Sequence, residues 1–127
     1  MIDNFLIINC IGKDDKLGLR INKDFFIHKL KNTKNNNDKL VFEIINFLKN
    51  HNAKIDDNFS VIVNQGPGSF SGVRIALAVA KGLEISNKVK LFGFRNTDLK
   101  QFDLENIERL FNKKLIEKKL IKPIYLS

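Results

Sequence analysis

The feature that most restricts the fold is a strand, a glycine-rich turn and a helix in direct succession, followed by another strand. Phe59-Ser-Val-Ile-Val63 has the Val/Ile content of a strand at the centre of a sheet. Asn64-Gln-Gly-Pro-Gly-Ser-Phe-Ser-Gly-Val-Arg74 then turns the chain, with three glycines, into a helix expected over about Gly72 to Ile85. That helix is apolar nearly all round. Val73, Ala76, Leu77 and Ala80 make one face, and Ile75, Ala78, Val79 and Gly82 make the opposite one. Only Arg74, Lys81 and Glu84 form a narrow polar stripe. Val89 to Gly93 reads as the returning core strand.

The flanking sequence extends this unit. Phe5 to Ile11 is apolar on both alternating faces and predicts a buried strand. Leu17 to Ile21 and Phe25 to Leu30, with Asn22-Lys23-Asp24 as the turn, continue it as an antiparallel meander. Lys31 to Asp38 is polar and predicts a loop ending in an Asn36 or Asn37 helix cap. A helix from Asp38 to about Asn50 carries Leu40, Ile44, Phe47 and Leu48 on one face, while Val41, Phe42 and Ile45 widen the apolar stripe well beyond one-sided burial. Asp103 is placed to cap a last helix over Leu104 to Leu120, with Lys122-Pro123 ending it and Ile124 to Leu126 extended. The expected fold is α/β: a mixed five-stranded sheet, antiparallel meander first, with helices on it. That layout resembles one half of the actin-like, RNase H-like architecture. Residues 1–95 form the lobe, and 96–127 supply a helix and an extended tail packed on it.

A chain of 127 residues suits a single compact domain, and its one cysteine, Cys10, excludes an internal disulfide framework. The longest apolar runs fall far below the roughly 20 residues of a membrane span. No basic residue precedes Phe5, so no secretory signal is expected and the cytoplasm is the expected location. The net charge of +8 suits a nucleic-acid partner. Lys supplies 18 of the 22 basic residues and Asn and Ile occur 16 times each, a pattern that AT-rich codons produce; with the lysines spread along the whole chain and no dense Arg cluster or aromatic–basic interleaving, codon drift is favoured over a dedicated nucleic-acid surface.

The turn Gly66 to Gly72 leads into a helix start, where free N–H groups and the dipole favour an anion. Gly66, Gly68, Ser69, Ser71, Gly72 and Arg74 are the candidate anion site. The spacing matches no standard cradle: Val73-Arg74 follows where a Walker loop needs Lys-Ser/Thr, and Ser71 stands where the dinucleotide fingerprint needs glycine. Phe70, at the centre of Gly68-Ser-Phe-Ser-Gly72, excludes a hydrolase elbow. Spacing alone favours glycines that permit positive φ and close packing, with anion binding kept open. Arg74, in a first helical turn where the dipole disfavours a cation, suggests a specific anionic contact.

The whole string from Gly66 to Leu83, Gly-Pro-Gly-Ser-Phe-Ser-Gly-Val-Arg-Ile followed by a small-residue helix ending Lys81-Gly-Leu83, closely resembles the signature of the bacterial TsaB (YeaZ) family. The resemblance covers roughly residues 4 to 95, including Lys90 to Phe94 and the stretch back through Asp56-Asp57, and Lys122-Pro-Ile-Tyr-Leu126 resembles that family's P-x-Y-L string. It implies an actin-like fold and a non-catalytic subunit of the tRNA threonylcarbamoyladenosine machinery. Such a subunit pairs with the catalytic paralogue TsaD, works with the ATPase TsaE, meets tRNA indirectly through the complex and often self-dimerises. Two departures stand out. Asn9 occupies the acidic position of the family's first strand, and only about 30 residues follow where members carry most of a second lobe.

Independently of the resemblance, helices with two apolar faces on a single sheet imply a partner. Val41, Phe42, Ile45, Ile75, Ala78, Val79 and Gly82 are the expected interface, unless the C-terminal helix covers them. His28 and His51 have no companion at metal spacing, Cys10 sits in an apolar strand, and Asp14-Asp15 and Asp56-Asp57 read as turn and cap residues. No catalytic residue, metal or cofactor is therefore expected. Two other functions stay open: a nucleotide-binding actin-like phosphotransferase using Gly66 to Gly72, and a basic RNA-binding module.

Overall fold

The computed structural model describes residues 4–30, 37–118 and 121–124. In chain order the elements are β1 (Phe5–Asn9), β2 (Lys16–Ile21), β3 (Asp24–Lys29), α1 (Asn37–Asn50), β4 (Ser60–Asn64), α2 (Phe70–Asn87), β5 (Lys90–Phe94), a 3-10 turn (Asn96–Asp98), α3 (Leu104–Asn112) and β6 (Ile116–Glu117). They form one six-stranded sheet in the order β3-β2-β1-β4-β5-β6. β1, β4 and β5 run parallel, while β2, β3 and β6 are antiparallel to their neighbours. The expected α/β architecture with its leading meander is therefore present. The cap expected at Asn36 and most of the loop before it, together with Tyr125 and Leu126 of the tail, lie outside the described residues.

Local chemistry accounts for most boundaries. Ile21 pairs with Asp24 across a two-residue turn, and Asn22 and Lys23 both take positive φ (50° and 73°), as a type I′ hairpin requires. Ser69 caps α2, its Oγ accepting from the Gly72 N–H at 3.4 Å, so the helix starts two residues earlier than expected. Asp103 caps α3 as expected, accepting from the Asn106 N–H at 2.8 Å.

The end of α3 corrects the sequence reading. The apolar spacing of Ile107, Leu110, Phe111 and Leu115 suggests a helix running to Leu120, but it stops at Asn112. Lys114 turns into the left-handed region (φ 55°), the Leu115 N–H donates to the Leu110 carbonyl at 2.8 Å, and the Lys114 N–H donates to Phe111. This is a Schellman termination, in which Leu115 supplies the apolar contact after the turn instead of another helical step. The released chain adds Ile116–Glu117 to the open edge of β5 as a sixth strand, and the tail beyond it returns to the α1/α2 side, where Ile121 is buried in the core.

Both faces of the sheet are covered. On one face Leu6, Ile8, Leu17, Leu19, Val61 and Val63 pack under α1 and α2. On the other, Phe5, Ile7, Ile62, Phe92 and Phe94 pack with Ile107 and Leu110 of α3. The last helix therefore lies across the sheet from α1 and α2, and the expectation that it might roof them does not hold. No helix among the described residues is long and apolar enough to cross a membrane.

Hydrogen bonds from Asn106 hold the Asp103 carboxyl below the usual carboxylate range. A carboxyl depressed in the folded state stabilises it above the unfolded pKa, and that contribution disappears as pH falls through the folded one. Asp103→Ala should lower the Tm at pH 7, with the gap to the parent closing below about pH 4, as read by thermal melts across the range.

Candidate functional site

Two candidate sites lie on α2: the glycine-rich turn at its start and the outward side it shares with α1. In the turn, Gly66 adopts φ +97° before a cis peptide bond to Pro67. Its N–H donates to Asn64 Oδ1 at 2.8 Å, and its carbonyl accepts from the Asn96 N–H at 2.8 Å. A Cβ at Gly68 would lie 2.7 Å from that of Ile11, so glycine is required for the turn to meet the β1–β2 loop. The Ser69 N–H donates to the Ile11 carbonyl at 2.7 Å.

The donors of the turn are thus largely committed within the chain. In the neighbouring β1–β2 loop, the Ile11 and Gly12 N–H groups both donate to Asp15 Oδ1, at 3.0 and 2.9 Å. Ser71 is half-buried in the first turn of α2. Arg74 is exposed, and its guanidinium lies 5.0 Å from the centre of the exposed Phe70 ring; among the described residues no carboxylate is within ion-pair distance of it.

Below the turn, three asparagines join the ends of the parallel strands. Asn64 Nδ2 donates to Asn9 Oδ1 at 2.6 Å and to Asn96 Oδ1 at 3.1 Å. Asn9 is thus part of a neutral amide network and is held in place by it. Gln65 is also buried, and its Nε2 donates to the Lys122 carbonyl at 3.1 Å, tying the tail to β4. The sequence reading did not single out Asn64, Gln65 or Asn96. Their signal was a polar pair following Val61-Ile-Val63 with no break.

The side shared by α1 and α2 is a different kind of surface. A groove of about 550 Å³ runs between the helices, walled by Val41, Ile45, Leu48, Ala78, Gly82 and Leu83 among others. Val79 sits at its floor, only 9% exposed and part of the core, while Ile75 is half-buried. Phe42 is 65% exposed, Ile85 80%, and Val41 and Ile45 about 40% each. Gly82 has no heavy atom within 4 Å of where its Cβ would stand. Glycine inside a helix costs up to about 1 kcal/mol against alanine, and no packing within the chain explains it here.

The remaining candidates have structural roles. His28 Nε2 lies 3.0 Å from Glu43 Oε2, and the His28 ring stacks on Phe47. His51 stacks on Phe26 and meets Phe47 edge-on, so both histidines tie β3 to the end of α1. Burial, with Asp15 adding to it, pushes the Cys10 thiol far above its usual range, which makes it inert. Asp15 and Asp56 accept backbone N–H groups in turns, as expected. No group of three or more His, Cys, Asp or Glu side chains among the described residues could hold a metal.

Comparison with known proteins gives this geometry a context. The family model described as "TsaD: tRNA N6-adenosine threonylcarbamoyltransferase" matches residues 31–99, more than half of the chain. The TsaB protein of Buchnera aphidicola subsp. Baizongia pistaciae, named for tRNA threonylcarbamoyladenosine biosynthesis, is 39% identical over 56 residues, covering 43% of this chain and 25% of the relative. YeaZ from Pseudomonas aeruginosa superposes with a TM-score of 0.69 at 16% identity, covering 88% of this chain and 50% of the other. A further Pseudomonas aeruginosa structure, of a protein similar to the peptidase YeaZ, gives 0.68 at 16% identity over 88% and 49%. The chain thus spans about half the length of those solved structures. Its class is the actin-like α/β fold they share. The chain belongs to the family that the TsaD model describes.

The asparagine network yields a prediction. Asn64→Ala strands the Gly66 N–H and Asn9 Oδ1 in the interior, and it should destabilise the fold by roughly 1–3 kcal/mol in urea titrations. Arg74→Ala, at an exposed ring contact, should change stability by no more than about 1 kcal/mol.

Proposed function

We propose that the chain is a non-catalytic subunit of the machinery that forms threonylcarbamoyladenosine in tRNA. Its α1–α2 groove seats a TsaD-like catalytic subunit, or a second copy of the chain when no such subunit is present. A TsaE-like ATPase acts on the assembled pair, and tRNA is met through the complex.

The observation that carries this reading is the groove with Gly82 open at its wall. Val41, Phe42, Ile45 and Ile85 leave apolar surface in water on the same side, and small residues at Ala78 and Gly82 let another helix approach closely. A shallow apolar wall between two helices suits a second helix pair better than a small polar substrate. Family membership supports this choice of partner, since the matching model and the curated relative are both named for threonylcarbamoyl modification of tRNA.

The nucleotide-binding reading finds less support. The Ile11, Gly12, Gly66 and Ser69 N–H groups already donate to Asp15, Asn64 and the Ile11 carbonyl, and Asn9 is a neutral amide bonded to Asn64. Titration calorimetry with Mg²⁺-ATP should show no saturable heat, and tight binding by the isolated chain would revive that reading.

Co-expression with the TsaD-like subunit of the same organism tests the pairing: the two should co-purify and sediment as one complex. Ala78→Lys places a charge in the groove and should abolish co-purification while leaving the Tm unchanged, because an unpaired charge buried at an interface costs on the order of 3–5 kcal/mol. Gly82→Ala gives a sharper result. It should stabilise the isolated chain by up to about 1 kcal/mol yet weaken the complex. A chain that stays monomeric and forms no complex would refute the adaptor role.

A further inference from the structure

The two faces of the β2–β3 hairpin are treated differently. Leu17, Leu19 and Ile21 point into the core beneath α1 and α2. On the opposite face the register brings Lys16 across from Lys29, Gly18 across from Ile27 and Arg20 across from Phe25. Helix α3 packs over β1, β4 and β5; beside it Gly18 is buried and Phe25 and Phe102 are half-buried against the α3 core, while Ile27 is 48% exposed and Lys29 is exposed. Phe102, from the loop before α3, lies over Gly18 with its ring centre 6.5 Å from that of Phe25, and Lys16 Nζ stands 5.9 Å from the Phe102 ring centre.

The charges here have no acidic partner: among the described residues none of Lys16, Arg20 and Lys29 is within ion-pair distance of a carboxylate. Of the acids beside Lys16 in the sequence, Asp15 accepts the Ile11 and Gly12 N–H groups and Asp14 is exposed with φ 52° in the β1–β2 loop; neither is in ion-pair contact with the wing. Asp24 pairs with Ile21, on the face that turns the other way. Like charges placed directly opposite on a strand pair, as Lys16 and Lys29 are, destabilise the sheet unless an anion lies between them.

We propose that this wing of the sheet binds a single strand of RNA. Phosphates lie along Lys16, Lys29 and Arg20, and bases rest against Phe25, Phe102 and Ile27. Charge decides the sign of the partner, and the interleaved rings decide its kind, since bases stack on aromatic side chains whatever their sequence. Lys16 and Arg20 are four strand residues apart, about 13 Å, which matches roughly four stacked nucleotides. The naming of RNA rests on the function proposed above; the cation and ring geometry does not. The sequence hid this surface because Lys16, Arg20, Phe25, Lys29 and Phe102 become neighbours only when the hairpin and the loop before α3 meet.

Fluorescence anisotropy of the full chain with a labelled single-stranded RNA of about twelve nucleotides, at several salt concentrations, tests the proposal. Affinity should fall steeply with salt. Replacing Lys16, Arg20 and Lys29 together by Ala should weaken binding by at least about tenfold and flatten the slope of log K against log salt by about 2, some 0.7 for each phosphate that is no longer neutralised. Lys16→Gln with Lys29→Gln, which leaves the Arg20 stem in place, should flatten it by about 1.4 and retain the parent Tm. Replacing Lys81, Lys88 and Lys90 by Ala removes equal charge elsewhere and should leave the slope near the parent value. Absence of RNA binding by the parent chain, an unchanged slope in the wing variants, or an equal loss in the control would overturn the proposal. Wing variants should still co-purify with the TsaD-like subunit. A parent chain that pairs but binds no RNA would defeat only the wing proposal, and RNA binding without any pairing would defeat only the adaptor role.

Discussion

The structure depends on the contact between the start of α2 and the end of β1. The Ser69 N–H reaches the Ile11 carbonyl at 2.7 Å, and Gly68 lies so close to Ile11 that a side chain there would collide with it. This contact fixes where α2 leaves the sheet. Val73, Ala76, Leu77 and Ala80 are then pressed into the core, and Ala78 and Gly82 are turned outward. The same contact orders the β1–β2 loop, whose remaining amides close on Asp15. A turn with the look of an anion cradle is here a joint between two backbone segments.

Once α2 is fixed, α1 can pack beside it but cannot cover it. Leu40, Ile44, Phe47 and Leu48 are buried, and the ring stack through His28, Phe47, His51 and Phe26 holds the end of α1 to β3. Val41, Phe42 and Ile45 are left facing water, and the groove between the helices has no lid within the described chain. The Schellman turn at Lys114 keeps it so. It ends α3 on the other side of the sheet and sends Ile116–Glu117 along the edge of β5, and the tail beyond reaches the α1/α2 side only as Ile121 in the core.

Legibility in the sequence followed the range of the forces involved. Strands β1 and β4 and helices α1 and α2 could be read because their apolar spacing is local and strong, and Asp103 because a cap needs only the next three residues. The two faces of α2 were legible only in part: Ala78 and Gly82 face outward as periodicity suggests, but Val79, expected beside them, is buried in the core and Ile75 is packed against it. The end of α3 was not, because Leu115 fits a helical stripe and a Schellman contact equally well. The sixth strand was missed because two residues carry no periodicity, and β6 exists only by virtue of the free edge of β5. The partners of Asn64 were hidden by distance, since Asn9 is 55 residues away in the chain.

The two surfaces inferred here lie on opposite sides of one sheet, and this bears on how they could operate together. The groove belongs to the side covered by α1 and α2, and the cationic wing to the side shared with α3. A partner seated in the groove therefore does not have to compete with a strand lying across Lys16, Arg20 and Lys29. The chemistry of each surface also excludes the ligand of the other. The groove is lined by Val41, Ile45, Ala78 and Leu83, which offer a polyanion nothing, whereas unpaired cations on the wing resist burial against an apolar helix. A sheet built this way can hold a protein on one side and face RNA on the other, and the amide network of Asn9, Asn64 and Asn96 sits at the strand ends without contributing charge to either.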